Sequence, residues 1–172
     1  MHQFIAGLLL FMLSASTSFA ETRDVEKYFF DQKLGDFKGE LVTAKKEGKQ
    51  GVLLMFELED CPFCHRMKTT ILNQSEVQDY YRKHFLIFSV DAKGDSPMVD
   101  FKGKETTEKQ FALEYRIRAT PVFAFFDLEG KPTTRFTGAA KDSKEFMQFG
   151  RYVVEDHYKS MPFAKYKQQS GQ

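Results

Sequence analysis

Tryptophan is absent from this 172-residue chain, cysteine occurs only twice and proline five times. Two cysteines exclude a multiply bridged scaffold, in which several crosslinks stand in for a small core. There is no second Cys pair and no His-x3-5-His spacing among His65, His84 and His157, so a structural zinc site is not expected. One-signed charge is missing too. The 25 Lys+Arg against 24 Asp+Glu leave +1, and no overall field draws the chain to nucleic acid or an anionic membrane. Repeats and low-complexity linkers are absent. What is present is 42% hydrophobic and 28% charged residues, the usage of one folded domain. The 19 Phe and 7 Tyr read as core.

The longest apolar run, residues 4–13, is too short to span a bilayer and leads through small polar residues to Ser18-Phe19-Ala20. This predicts a secretory signal peptide cleaved after Ala20, even though Met1-His2-Gln3 brings no Lys or Arg to its start. No Cys follows the run, so a lipoprotein anchor is not expected. Removing 20 of 172 residues leaves 152, still at +1 and ample for one α/β core.

Export would put the two cysteines where disulfides persist. They stand as Cys61-Pro62-Phe63-Cys64. A bridge between them closes too short a loop to restrict the unfolded chain much, which argues against a structural staple. Upstream, Gly51 to Phe56 is an apolar run that predicts a strand buried on both faces. Downstream, Phe63, Met67 and Ile71 recur every four residues among polar neighbours, an amphipathic helix with Pro62 at its first position. Cys61 then falls at the helix N-cap, where unpaired N–H groups and the helix dipole stabilise a thiolate and so make a nucleophile near neutral pH.

The rest of the chain alternates. Residues 24–48 read as an interrupted helix with Phe29, Phe30, Leu34, Phe37, Leu41 and Ala44 inward and breaks at Gly35 and Gly39. A capping box at Ser75-Glu76-Val77-Gln78 starts a short helix, and residues 85–90 form a second buried strand. Residues 92–105 read as an extended connection, either a partner contact or a plain insertion. Thr107-Glu108-Lys109-Gln110 opens a helix with Phe111, Tyr115 and Leu113 inward. Residues 121–126 and 133–137 make a hairpin turned at Asp127-Leu128-Glu129-Gly130. Asp142 caps a last helix with Phe146, Phe149, Val153 and Val154 on its apolar face, and the polar tail from Met161 is expected to fray.

A strand entering Cys61-Pro62-Phe63-Cys64 on a helix, then strand, helix, Ala119-Thr120-Pro121, hairpin and helix, resembles the thioredoxin fold over about residues 48–160. That resemblance implies an α/β protein with a central mixed sheet of four to five strands flanked by helices, here with an extra N-terminal helical segment. The expected division is signal peptide 1–20, helical extension 21–48, thioredoxin-like domain 49–160 and polar tail 161–172. Phe56-Glu57, Val99-Asp100-Phe101-Lys102-Gly103-Lys104, Thr106-Thr107-Glu108-Lys109 and Arg118-Ala119-Thr120-Pro121 further resemble the SoxW-type thioredoxin-related proteins of the bacterial periplasm.

The resemblance implies roles. Cys61 is the attacking thiolate and Cys64 the resolving thiol of a redox-active disulfide, with no other cofactor. Pro121, preceded by Thr120, matches the cis-proline that offers backbone hydrogen bonds to a substrate chain, and Phe63 lies in the dipeptide that tunes redox poise. Two positions depart from thioredoxins proper: Asp60 stands in place of the aromatic residue before the first Cys, and Met55 in place of the buried acid. Glu57 is the nearest candidate proton acceptor, against the alternative of a solvated strand-end carboxylate. Asp60 and Glu59 would oppose a thiolate, while His65, Arg66 and Lys68 would favour it; His65 reads as an exposed helix residue.

The expected activity is periplasmic thiol–disulfide exchange with protein partners, in the reducing direction, with a membrane electron donor of the DsbD kind. An oxidant of the DsbA kind and a non-catalytic partner-binding module remain the alternatives. A monomer is expected, since no heptad or separate dimerisation domain is visible.

Overall fold

A computed structural model describes residues 21–32 and 34–170. The expected signal peptide lies outside the described residues. The helices are α1 (Val25–Tyr28), α2 (Phe37–Lys46), α3 (Pro62–Thr70), α4 (Ser75–His84), α5 (Glu108–Glu114), α6 (Ser143–Val154) and α7 (Phe163–Ser170). The strands are β1 (Gly51–Glu57), β2 (Phe85–Asp91), β3 (Pro97–Val99), β4 (Glu105–Thr107), β5 (Val122–Phe126) and β6 (Pro132–Thr137). The main sheet runs β2-β1-β5-β6, with β1 parallel to β2 and antiparallel to β5, and β5 antiparallel to β6. This is the mixed, helix-flanked sheet that the thioredoxin resemblance implies.

β1 is the central strand because both of its faces are apolar. Leu53 and Met55 join one core with Met67, Tyr81, Phe123, Phe125 and Phe146 under α3, α4 and α6. Val52, Leu54 and Phe56 join the other with Phe37, Phe88, Phe111 and Phe126 under α2 and α5. Gly51 fixes where β1 begins: a Cβ there would lie 1.9 Å from the Phe126 carbonyl oxygen, so only glycine lets β5 approach. That register carries the strand end, and hence the cysteines, to one end of the sheet.

The structure corrects several local expectations. Ser75 does not cap α4; Gln74 holds the N-cap without a side-chain bond, and Ser75 N–H donates to the Glu21 carbonyl at 2.8 Å. The N-terminal segment thus satisfies an end that the sequence window assigns to a local box. Gly35, at φ +79°, does separate α1 from α2, but Gly39 lies inside α2 and donates to the Asp36 carboxylate instead of breaking the helix. Leu34 and Leu113, expected inside, are 75% and 57% exposed. Residues 92–105 are not a featureless connection. β3 and β4 pair as a small hairpin whose turn is tied by Asp100, which accepts from Lys102 and Lys104 N–H at 2.8 Å each. Phe101 plugs that turn into the core, stacked on Phe37 at 5.3 Å and against Phe126 at 4.5 Å. The segment expected to fray is α7, seated by the buried Tyr166 and by Phe163 against Phe149 at 4.7 Å.

Candidate active site

Cys61 is the N-cap of α3, in extended conformation, with Pro62 at the first helical position. The missing N–H of proline costs nothing there, and its fixed φ suits the helix start. Cys61 and Cys64 form a disulfide with Cα atoms 5.2 Å apart. The Cys61 sulfur accepts from Cys64 N–H at 3.1 Å and from the Thr120 hydroxyl at 3.2 Å. Thr120 arrives on the loop before β5, and the Thr120–Pro121 peptide is cis. Cys61 is 8% exposed and Cys64 2%, so both are buried, Cys61 the less deeply of the two. Phe63, which the four-residue spacing assigns to the inner face, is instead 61% exposed beside the sulfurs, because Cys64 takes the inward place in the first turn.

A cleft of about 350 Å³ opens at the pair, lined by Cys61 and Cys64 and among others by Glu57, Glu59, His65, Lys68, Ser89 and Asp91. Glu57 is not a solvated strand-end carboxylate. Its side chain is 17% exposed, ion-paired to Lys68 Nζ at 2.8 Å and hydrogen-bonded by the Ser89 hydroxyl. Lys68 also reaches Glu26 of α1 at 2.8 Å. Burial by itself would lower the Lys68 pKa, but the hydrogen bonds to Glu26 and Glu57 outweigh it and hold the ammonium above its ordinary range. The one sequence signal of Ser89 is a hydroxyl interrupting the apolar run of β2. Met55, at the position of the missing acid, is fully buried and brings no polar atom. His65 is exposed, and Arg66 turns away to donate to the Ala140 carbonyl at 2.6 Å.

Beyond Thr120 a second, mainly apolar groove of about 240 Å³ runs past Leu58, Leu113 and Ile117. A cleft of about 800 Å³, whose lining includes neither cysteine, lies between the end of α5 and β6. Among the described residues no group of His, Cys, Asp and Glu is arranged to hold a metal.

A disulfide at a helix N-terminus, with a threonine hydroxyl against its first sulfur on this fold, defines a thiol–disulfide oxidoreductase. The chain belongs to the Thioredoxin-like domain family, whose model matches residues 37–154. It is similar in structure to a thioredoxin-fold protein from Helicobacter pylori, at 20% identity and a TM-score of 0.64 over 87% of this chain and 95% of that one. It is similar also to a DsbH oxidoreductase, at 20% identity and a TM-score of 0.58 over 78% and 90% of the two chains. A thioredoxin from Thermus thermophilus matches at 27% identity and a TM-score of 0.54 over 69% of this chain and 84% of that one. No curated protein matches the sequence.

Proposed function

We propose that this protein is a periplasmic reductase of protein disulfides, of the SoxW type, in which Cys61 attacks and Cys64 resolves. The observation that carries the reading is the asymmetry of the pair. Cys61 holds the α3 N-cap, its sulfur meets the Thr120 hydroxyl and it is the less deeply buried of the two, whereas Cys64 lies one turn in and is 2% exposed. A thiolate at Cys61 gains from the helix dipole and from both donors, which suits it to attack. Attack on a partner disulfide forms a mixed disulfide and releases one partner thiolate. Cys64 then displaces the second partner sulfur, leaving Cys61–Cys64 oxidised and the partner reduced by two electrons. A membrane donor of the DsbD kind returns those two electrons. Thr120, Pro121 and Phe63 are the residues that would meet the substrate chain, and Glu57 the group that would take the Cys64 proton.

Variants test the assignment. Reduced Cys61→Ser should lose all disulfide-reducing activity on a model protein disulfide. Cys64→Ser should accumulate a covalent mixed disulfide on gels, released by dithiothreitol. Trapping by Cys61→Ser and not by Cys64→Ser would reverse the roles, and full activity in the double variant would remove the catalytic reading.

A further inference from the structure

The two clefts at and beside the disulfide carry opposite charge. In the one lined by Cys61 and Cys64, Glu57, Glu59 and Asp91 face one lysine, Lys68. On the Thr120 side, the groove holds Lys93, Lys109 and Arg118 and no carboxylate. Lys93, Lys109 and Arg118 are exposed. Between them the floor is apolar, formed by Leu58, Ala92, Leu113 and Ile117, with Leu113 57% exposed at the rim. Thr120 closes the groove at the end that touches the Cys61 sulfur. Exposed cations around an apolar slot match one kind of occupant, an apolar side chain flanked by carboxylates. Leu58 lines both clefts, so a chain crossing Cys61 passes from the acidic side to the basic one without leaving the surface.

We propose that the partner of this oxidoreductase presents its reactive cysteine beside an apolar residue flanked by Asp or Glu, which seats in the groove of Leu113 and Ile117 under Lys93, Lys109 and Arg118. This rests on the exchange reading and adds the substrate class to it. The cations act on capture: a field of one sign in a groove raises the encounter rate of an opposite charge by about 10-fold or more, and salt removes the gain.

The test uses the full mature chain carrying Cys64→Ser, reduced, with Cys61 as its single thiol. Its probes are three cysteine peptides of equal length, acidic-apolar, neutral-apolar and basic-apolar, each activated as a 2-thiopyridyl disulfide so that the leaving group is uncharged. The Cys61 thiolate attacks the peptide sulfur, a peptide–Cys61 disulfide forms, and the thiopyridone released is read by absorbance. The acidic peptide should react about tenfold faster than the basic one at low salt, with the ratio falling toward one in high salt. Lys109→Glu with Arg118→Glu should invert the ratio. Lys45→Glu with Lys46→Glu, the same charge change on α2, should leave it in place. Equal rates for all three peptides, or a ratio indifferent to the groove swap, would overturn the substrate class while leaving exchange standing. No reaction with any peptide by the folded variant would overturn both.

Discussion

Around the two sulfurs, most of the chemistry belongs to single side chains, and only part of it is local in sequence. Cys61, Pro62 and Cys64 announce themselves, because a cysteine at a helix N-cap followed by proline is a spacing with a physical consequence. Thr120 is 59 positions from Cys61 and meets it only through the fold, so its motif marks the residue but not the contact. Glu57 is the sharper case. Strand alternation places it near the pair, yet whether it is solvated or held depends on Lys68 from α3 and Ser89 from β2, which no window around residue 57 contains. If Glu57 takes the Cys64 proton, Glu57→Gln slows resolution of the mixed disulfide by about a hundredfold near neutral pH, the lower end for a positioned proton acceptor. The deficit shrinks as rising pH ionises Cys64 unaided. Stopped-flow resolution rates across pH check this, and a profile unchanged from the parent would leave Glu57 a structural partner of Lys68.

Elements were legible where period and cap agree. Thr107 accepts from Gln110 N–H at 3.3 Å and Asp142 from Glu145 N–H at 2.8 Å, as their cap patterns predict for α5 and α6. Elements failed to show where a partner from elsewhere does the work. α4 is finished by Glu21, the hairpin of β3 and β4 is held by Phe101 in the core, and α7 has too few apolar residues to reveal its docking until Phe163 meets Phe149. Glu145 joins the last two helices: it accepts from Lys141 N–H at 2.7 Å and pairs with Lys167 of α7 at 2.6 Å. Burial alone would raise its pKa, but these contacts prevail and hold it below the ordinary carboxylate value. A lowered folded pKa means that the stabilisation is complete above the unfolded value of 4.5 and is lost as pH falls through the folded one. Glu145→Gln should therefore cost about 1 kcal/mol at pH 7 and much less at pH 3. Urea midpoints at the two pH values measure it, and an equal cost at both would mean that the charge contributes nothing.

At the scale of the whole molecule, the helix-flanked mixed sheet and the position of the site are what the thioredoxin resemblance implies, while the strand order is seen only in the structure. The N-terminal segment binds the rest more tightly than its sequence suggests. Phe29 and Phe30 are buried, Asp31 N–H donates to the Ile87 carbonyl at 2.7 Å, and the Asp31 carboxylate accepts from Ile87 N–H at 2.8 Å on the outer edge of β2. That cover leaves less of an unpaired strand edge for stray pairing. The same segment brings Glu26 to Lys68, so the support of the redox site extends to α1. Direction of electron flow belongs to the whole molecule too, since it is the balance of oxidised and reduced states. It is measured by equilibrating the mature protein in glutathione or dithiothreitol buffers and scoring free thiols by alkylation and gel shift, which needs no tryptophan signal. A potential near −270 mV, about that of thioredoxin, is the value expected of the reductase proposed here. A potential near −120 mV, about that of DsbA, would contradict it and make the protein an oxidant.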